Sequence, residues 1–303
     1  MTQPGEMNSF VYPASLSWLE KREDGRDWLR CLPDLLAQCR DRFQLEQVGD
    51  PFSGGNVSYV LPVKHQGADA VLKLQFPDRE CRFEADALKH WDGQGAIRLL
   101  DHAHDLNAML LERCRPGHFL ADDPDVDPMA VLSGLLKNLL KPAGPPFTRL
   151  SEEAAHWRNN LESDWEDAGR PCERRLVDAA MTAVSDLPKD ETDQVLLHQD
   201  LHGHNVLSSE RSGWLAIDPK PLVGDPAFSL SPIVRSFEFG HSKNAALYRL
   251  NRLSEELGLD RERARHWTIA QTMAWAFSSD YSERHFETTR WLLDSARSQK
   301  WSS

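Results

Sequence analysis

The segment His198-Gln199-Asp200-Leu201-His202-Gly203-His204-Asn205 places a carboxylate and a carboxamide in one short polar loop, and Asp218 follows at the end of the apolar stretch Trp214-Leu215-Ala216-Ile217. Phosphoryl transfer needs this inventory. A carboxylate accepts or orients the proton of an attacking hydroxyl, and hard oxygen donors hold Mg2+ against nucleotide phosphates. The apolar run Val195-Leu196-Leu197 enters the loop, so two strands are predicted to flank it. They bring Asp200, Asn205 and Asp218 together at one end of a hairpin. Taken singly, an Asp after a strand is a turn former and an Asn is a loop cap. The ordered trio favours chemistry, with Asp200 as catalytic residue and Asn205 and Asp218 as metal ligands.

The spacing His-x-Asp-x-x-x-x-Asn is that of the protein-kinase catalytic loop, which also requires a strand lysine for the α- and β-phosphates and a helical glutamate to pair with it. Lys73 is the one charge in Ala70-Val71-Leu72-Lys73-Leu74, and Glu84 follows in a predicted helix. The plainer alternatives are an edge-strand charge and a solvated helix face. Gly54-Gly55-Asn56-Val57-Ser58 lies between strand-like stretches, where backbone N–H groups of Gly54, Gly55 and Ser58 can approach phosphate; an ordinary hairpin turn explains it nearly as well. Backbone groups at Glu112 and Cys114 are candidates for hydrogen bonds to adenine.

Other clusters compete. His198, His202 and His204 fall close together, and imidazole clusters bind transition metals, but the spacing is not His-Glu-x-x-His and each ring can be used in loop hydrogen bonds. Trp267, Trp275, Trp291 and Trp301 lie on amphipathic helical patterns and are expected in the core rather than as a stacking platform.

These groups need elements to position them. Residues 26–43 read as an amphipathic helix, with Pro33 as an interruption near its first turns. Strands are expected at Val57–Val63, Ala70–Gln75, Ala96–Leu100 and Leu106–Glu112, and a helix from Arg79 to Trp91. The Pro-Gly content of Arg113-Cys114-Arg115-Pro116-Gly117 marks a hinge. Beyond it helices are expected at 128–140, 150–168, 173–186, 244–257, 261–279 and 282–299, broken by a β-rich insert at 195–218. The organisation is thus α+β: a nucleotide-binding lobe over 1–112, a hinge at 113–118, and a helical lobe over 119–303 carrying the catalytic loop and acceptor site.

Bulk properties bound the function. A chain of 303 residues with a formal net charge of −12 lacks the basic footprint that nucleic acid demands, and its acidity favours cationic ligands. No apolar run reaches the roughly 20 residues of a membrane span. The N-terminus shows no basic flank or apolar core of a leader, so a cytoplasmic location is expected. Five scattered cysteines without a Cys-x-x-Cys pair argue for reduced thiols. No obligate protein partner is indicated.

The segments HQDLHGHNVL and WLAIDPKPLVGDPAF resemble the aminoglycoside phosphotransferases, in particular the branch containing streptomycin 6-kinase and hydroxyurea phosphotransferase. Matches extend through AVLKL, FEADAL, WDGQGAIRLL and MLLER, over roughly residues 26–235. The resemblance implies a bilobal protein-kinase-like fold, ATP with Mg2+, and O-phosphorylation of a small hydroxylated acceptor. It implies Asp200 as base, Asn205 and Asp218 as metal ligands, Lys73 on phosphate with Glu84 as its partner, and Asp225 as a structural brace beneath the catalytic loop. Gln199 stands where the family usually has Gly, Gly203-His204 where it has His-Gly, and Ser229 where it has an acid. These departures bear on the acceptor rather than on the chemistry.

The leading expectation is therefore a kinase for an aminoglycoside-type antibiotic. Its alternatives are a metabolic kinase for an amino sugar, sugar, amino alcohol or hydroxyurea-type molecule, and a non-catalytic nucleotide-binding pseudokinase. The acidic run Asp122-Asp123-Asp125-Asp127 is either a polycation contact or a solvated turn.

Overall fold

A computed structural model of the chain describes residues 10–55, 57–189 and 194–298. Asn56 of the glycine-rich turn and Trp301 lie outside the described residues. Two compact units are formed, one of residues up to Gly93 together with Ile97–Arg113, the other of Gln94–Ala96 with the chain from Cys114 onward.

The first unit contains helix α1 (Glu23–Arg42), strands β1 (Leu45–Val48), β2 (Ser58–His65) and β3 (Ala68–Gln75), helix α2 (Glu84–Trp91), and strands β4 (Leu99–Ala103) and β5 (Ala108–Glu112). The strands make an antiparallel sheet in the order β1-β2-β3-β5-β4. Alternation along the strands sends Tyr59, Leu61 and Val63 of β2, and Ala70, Leu72 and Leu74 of β3, into one core with Leu16, Leu19, Leu29 and Leu32. The intervening Lys73 and Gln75 consequently face the opposite side, where the first residue of α2, Glu84, meets both.

Four expectations need correction here. Helix α1 runs through Pro33 rather than breaking near it. An interior proline costs about 3 kcal/mol, whereas each buried apolar side chain contributes about 1.5–3 kcal/mol; Trp28, Leu29, Leu32 and Cys39 together outweigh the penalty. Helix α2 begins at Glu84, not Arg79, because Asp78 accepts a hydrogen bond from the Glu80 amide (2.9 Å) and holds a turn there. Strand β4 starts at Leu99; Ala96 instead bridges Ala216 in the second unit. Similarly, β5 starts two residues late because Asn107 adopts a left-handed φ of 49° and its side chain caps the Gln75 carbonyl at 2.9 Å.

The second unit carries strands β6 (Pro116–Phe119), β7 (Thr148–Arg149), β8 (Val195–Leu197), β9 (Val206–Ser209), β10 (Gly213–Ala216) and β11 (Leu222–Gly224). Its helices are α3 (Pro128–Leu139), α4 (Leu150–Asp167), α5 (Arg174–Asp186), α6 (Ser231–Arg235), α7 (Lys243–Leu257), α8 (Arg261–Ala276) and α9 (Ser282–Ser298). Two small sheets are ordered β10-β9-β6 and β7-β11-β8. The predicted hinge at 113–118 therefore overlaps β6, which pairs with β9. Nor do β8 and β10 pair across the loop: the hairpin is β9–β10, and β8 pairs with β11. Both β11 and α6 escape sequence reading because segments of three and five residues are too short to show a period. No helix among the described residues is long and apolar enough to cross a membrane.

Candidate active site

Asn205 immediately precedes β9, and Ile217 and Asp218 immediately follow β10, so the hairpin's open end sets Asn205 beside Asp218. The Ile217 amide donates to the Asn205 carbonyl (2.9 Å), and His198 Nε2 donates to the Ile217 carbonyl (2.9 Å). His198 is thus a tether. Burial lowers it to about 4, so the ring is neutral, and a bond to a carbonyl places its proton on Nε2. Asn205 Nδ2 donates to the Asp200 carbonyl at 2.8 Å, closing the loop and leaving Oδ1 as the atom a cation can use.

Asp200 lies between two cations, Lys220 Nζ at 3.4 Å and Arg235 at 3.3 Å. Both cations rest over the Trp275 ring, 4.7 and 4.4 Å from its centroid. Burial alone would push the Asp200 carboxyl up, yet the charges of Lys220 and Arg235 beside it help outweigh burial and hold the group at about 2. The carboxylate is ionised at neutral pH. Trp275, expected in the core, instead forms a cation platform, whereas Trp267 is buried and donates to Asp225 at 2.7 Å. Lys220 stood in plain view in the segment DPKPLVGDP, but Arg235 and Trp275 had no sequence signal: α6 and α8 bring them in from 35 and 75 positions beyond Asp200.

Among the described residues, the hydrogen bonds of the Asp225 carboxylate go elsewhere than the 198–205 loop. Its carboxylate caps the following turn at Ala227 N (2.9 Å) and binds Arg263 and Trp267 of α8. The brace acts through that helix, since Gln271 of α8 donates to the Gln199 carbonyl at 2.9 Å. Gln199 itself has φ 65°, a conformation that suits glycine. At Gly203 an added Cβ would meet Phe239 at 2.5 Å and Glu238 at 2.7 Å, so a side chain there would displace both. Ser229 uses its hydroxyl on the Pro226 carbonyl (2.7 Å).

In the first unit, Lys73 Nζ contacts both Glu84 oxygens at 2.7 Å, and Gln75 bonds the same carboxylate. Lys73 and Glu84 are 3% and 1% exposed, so neither is the surface charge that the plainer alternative required. Gly55 has no room for a side chain, because a Cβ would lie 2.3 Å from the Ser58 carbonyl oxygen, whereas Gly54 is open. Ser58 Oγ is buried with no hydrogen-bond partner among the described residues. The Glu112 amide donates to the Arg98 carbonyl (2.9 Å) and is committed to the sheet. The acidic run also divides. Asp127 caps α3 and pairs with Arg252 at 2.7 Å, a structural role, while Asp122 lies 3.8 Å from His204.

The carboxylate of Asp200 lies between two cations in the loop that ends at Asn205, and the architecture is protein-kinase-like. The choline kinase LicA from Streptococcus pneumoniae aligns with a TM-score of 0.62 at 14% identity, covering 88% of this chain and 99% of that one. The aminoglycoside phosphotransferase APH(4)-Ia, in a ternary complex with ADP and hygromycin B, aligns with a TM-score of 0.59 at 14% identity, covering 88% and 98%. Residues 42–280 match the family described as aminoglycoside/hydroxyurea antibiotic resistance kinase, and the chain belongs to that family. Streptomycin 6-kinase of Streptomyces griseus is 40% identical over 259 residues, 83% of this chain and 84% of the relative. Hydroxyurea phosphotransferase of Kitasatospora aureofaciens is also 40% identical, over 82% and 73%. The protein is a phosphotransferase that acts on a hydroxyl group of a small molecule.

Proposed function

We propose that the protein transfers the γ-phosphoryl group of ATP to a hydroxyl of an aminoglycoside-type molecule, as a streptomycin 6-kinase does. The observation that carries this is Asp200, ionised and facing Lys220 and Arg235 in the loop that ends at Asn205. The acceptor oxygen bonds to the γ-phosphorus, the bond to the β–γ bridging oxygen breaks, and ADP leaves. The acceptor's proton passes to Asp200 and on to solvent. A carboxyl with a pKa of about 2 is a weak proton sink. In a loose transition state, where the hydroxyl loses its proton late, the group serves chiefly to orient that hydroxyl. Lys220 and Arg235 keep the carboxylate ionised and neutralise charge gathering near it.

Lys73, oriented by Glu84 and Gln75, is the proposed phosphate cation, with Gly54, Gly55 and the unpartnered Ser58 hydroxyl as further phosphate contacts. Backbone groups of Glu112 and Cys114 are proposed to meet adenine. Asn205 Oδ1 and the Asp218 carboxylate are hard donors of the kind Mg2+ takes, and the cation, when bound, neutralises the phosphates. Asp218→Ala is accordingly expected to remove the Mg2+ dependence of nucleotide binding. Calorimetry with and without Mg2+ checks it; unchanged Mg2+-dependent affinity would place the metal elsewhere.

An ADP-release screen against streptomycin, other aminoglycosides, amino sugars, cyclitols and hydroxyurea tests the acceptor, with mass spectrometry on the product. Streptomycin is expected to give the highest kcat/KM. Turnover with hydroxyurea instead would select the second reading, which the equal identity to the hydroxyurea enzyme supports. A nucleotide-binding protein with no acceptor response at all would overturn both.

A further inference from the structure

We propose that His202, His204 and Glu238 form a binding site for a divalent transition-metal ion of the zinc class, separate from the oxygen donors Asn205 and Asp218. Glu238 Oε1 lies 2.6 Å from His202 Nδ1 and 2.7 Å from His204 Nδ1. One ligand atom from each residue can be chosen so that all three lie within 4.8 Å of one another. Two imidazole nitrogens and one carboxylate oxygen form a donor set that zinc, cobalt and nickel accept, and that Mg2+, which takes oxygen, does not prefer.

The convergence is built into the fold. Gly203, between the two histidines, donates its amide to Glu238 Oε2 at 2.6 Å, and Ser236 Oγ donates to the same oxygen at 3.2 Å. The absence of a Cβ at Gly203 is what allows this approach. Arg249, 2% exposed, donates to the carbonyls of Val234, Ser236, Phe239 and Gly240, pinning the segment that carries Glu238. Oε2 is thus occupied by the protein, and Oε1 is presented to the two rings.

Each outer ring nitrogen has a carboxylate nearby, just beyond hydrogen-bond distance. His202 Nε2 faces Asp200 Oδ1 at 3.9 Å, and His204 Nε2 faces Asp122 Oδ1 at 3.8 Å. A carboxylate behind each metal-bound imidazole fixes its tautomer and raises its basicity. With no metal, each ring donates from Nδ1 to Glu238. On binding, Nδ1 of each ring supplies its lone pair, and the ring's proton is carried on Nε2, towards those carboxylates. Tetrahedral ligands with bonds of about 2.0–2.1 Å stand about 3.3 Å apart, so Glu238 Oε1, now 2.6 and 2.7 Å from the two Nδ1 atoms, must draw back by roughly 0.6–0.7 Å from each. His204, half-exposed at 49%, has the freedom to move and gives the ion a route from solvent.

The test uses the full chain stripped with EDTA. Zn2+ is titrated by calorimetry in millimolar Mg2+, and Co2+ is titrated while the visible d–d bands are followed. One equivalent is expected to bind with micromolar affinity, with the band intensity of a low-coordinate Co2+ site. His204→Ala and Glu238→Gln are each expected to weaken binding by at least about tenfold. Glu238 also holds Gly203, so its variant is checked by circular dichroism; the half-exposed His204 keeps the test decisive if that variant does not fold. Binding weaker than about 0.1 mM, displacement by Mg2+, or affinity unchanged in His204→Ala would overturn the proposal. These outcomes are independent of the ADP-release screen.

Discussion

Asp200→Asn is expected to lower kcat by about 10²–10⁴-fold while leaving nucleotide affinity nearly unchanged. The amide keeps the shape of the carboxylate and removes its charge and its capacity to accept a proton. Lys220 at 3.4 Å and Arg235 at 3.3 Å then face a neutral group, and the acceptor hydroxyl loses the partner that aims it at phosphorus. Because only transition-state contacts are lost, kcat and kcat/KM are expected to fall together. Steady-state kinetics with calorimetry for the nucleotide separates the two effects, and a variant with wild-type turnover would end the assignment. The same geometry predicts the pH behaviour. Folding lowers this carboxyl to about 2, so its contribution to stability is present above the unfolded value of about 3.9 and is lost as pH falls through about 2. Any loss of activity between pH 5 and 7 must then come from another group.

Asp225→Ala is expected to destabilise the second unit by about 3–5 kcal/mol, a large part of the stability of an ordinary domain. Asp225 is 5% exposed, and its carboxylate satisfies Ala227 N, Arg263 and the Trp267 indole N–H. Removing it strands the Arg263 charge, although one guanidinium nitrogen keeps the Leu187 carbonyl at 2.9 Å, and it orphans a buried N–H. Helix α8 also carries Gln271 and Trp275, so a shifted α8 is expected to reduce kcat in the folded protein as well. Urea denaturation measures the first effect. A loss below about 1 kcal/mol would mean that α8 is held by its apolar packing against α5 and α9 rather than by this carboxylate.

The motif residues were legible because their chemistry and spacing are local. Asn205 and Asp218 bracket a hairpin whose strands are contiguous in sequence, and Lys73 alternates out of an apolar strand. Helices α3, α4, α5, α7, α8 and α9 were legible within a few residues; α3, α4, α5 and α7 bury residues at helical spacing, whereas α8 is buried on nearly every side over 267–273. The failures have equally particular causes. Pro33 reads locally as a break, and only the buried face of α1 overrides it. Trp275 follows the helical apolar pattern as Trp267 does, and the pattern cannot tell which ring meets cations.

By itself, then, the amino-acid sequence determined the class of fold and the type of chemistry, and it proposed candidate residues for that chemistry. The tertiary structure alone decided what surrounds them: Lys220 and Arg235 over Trp275 beside Asp200, the left-handed backbone at Gln199, and Glu238 drawn to His202 and His204 across the space that Gly203 leaves. The physical reason is range. Backbone periodicity and turn chemistry act over a few residues, whereas the ionisation of a buried carboxylate depends on every charge within a few ångströms, wherever in the chain it originates.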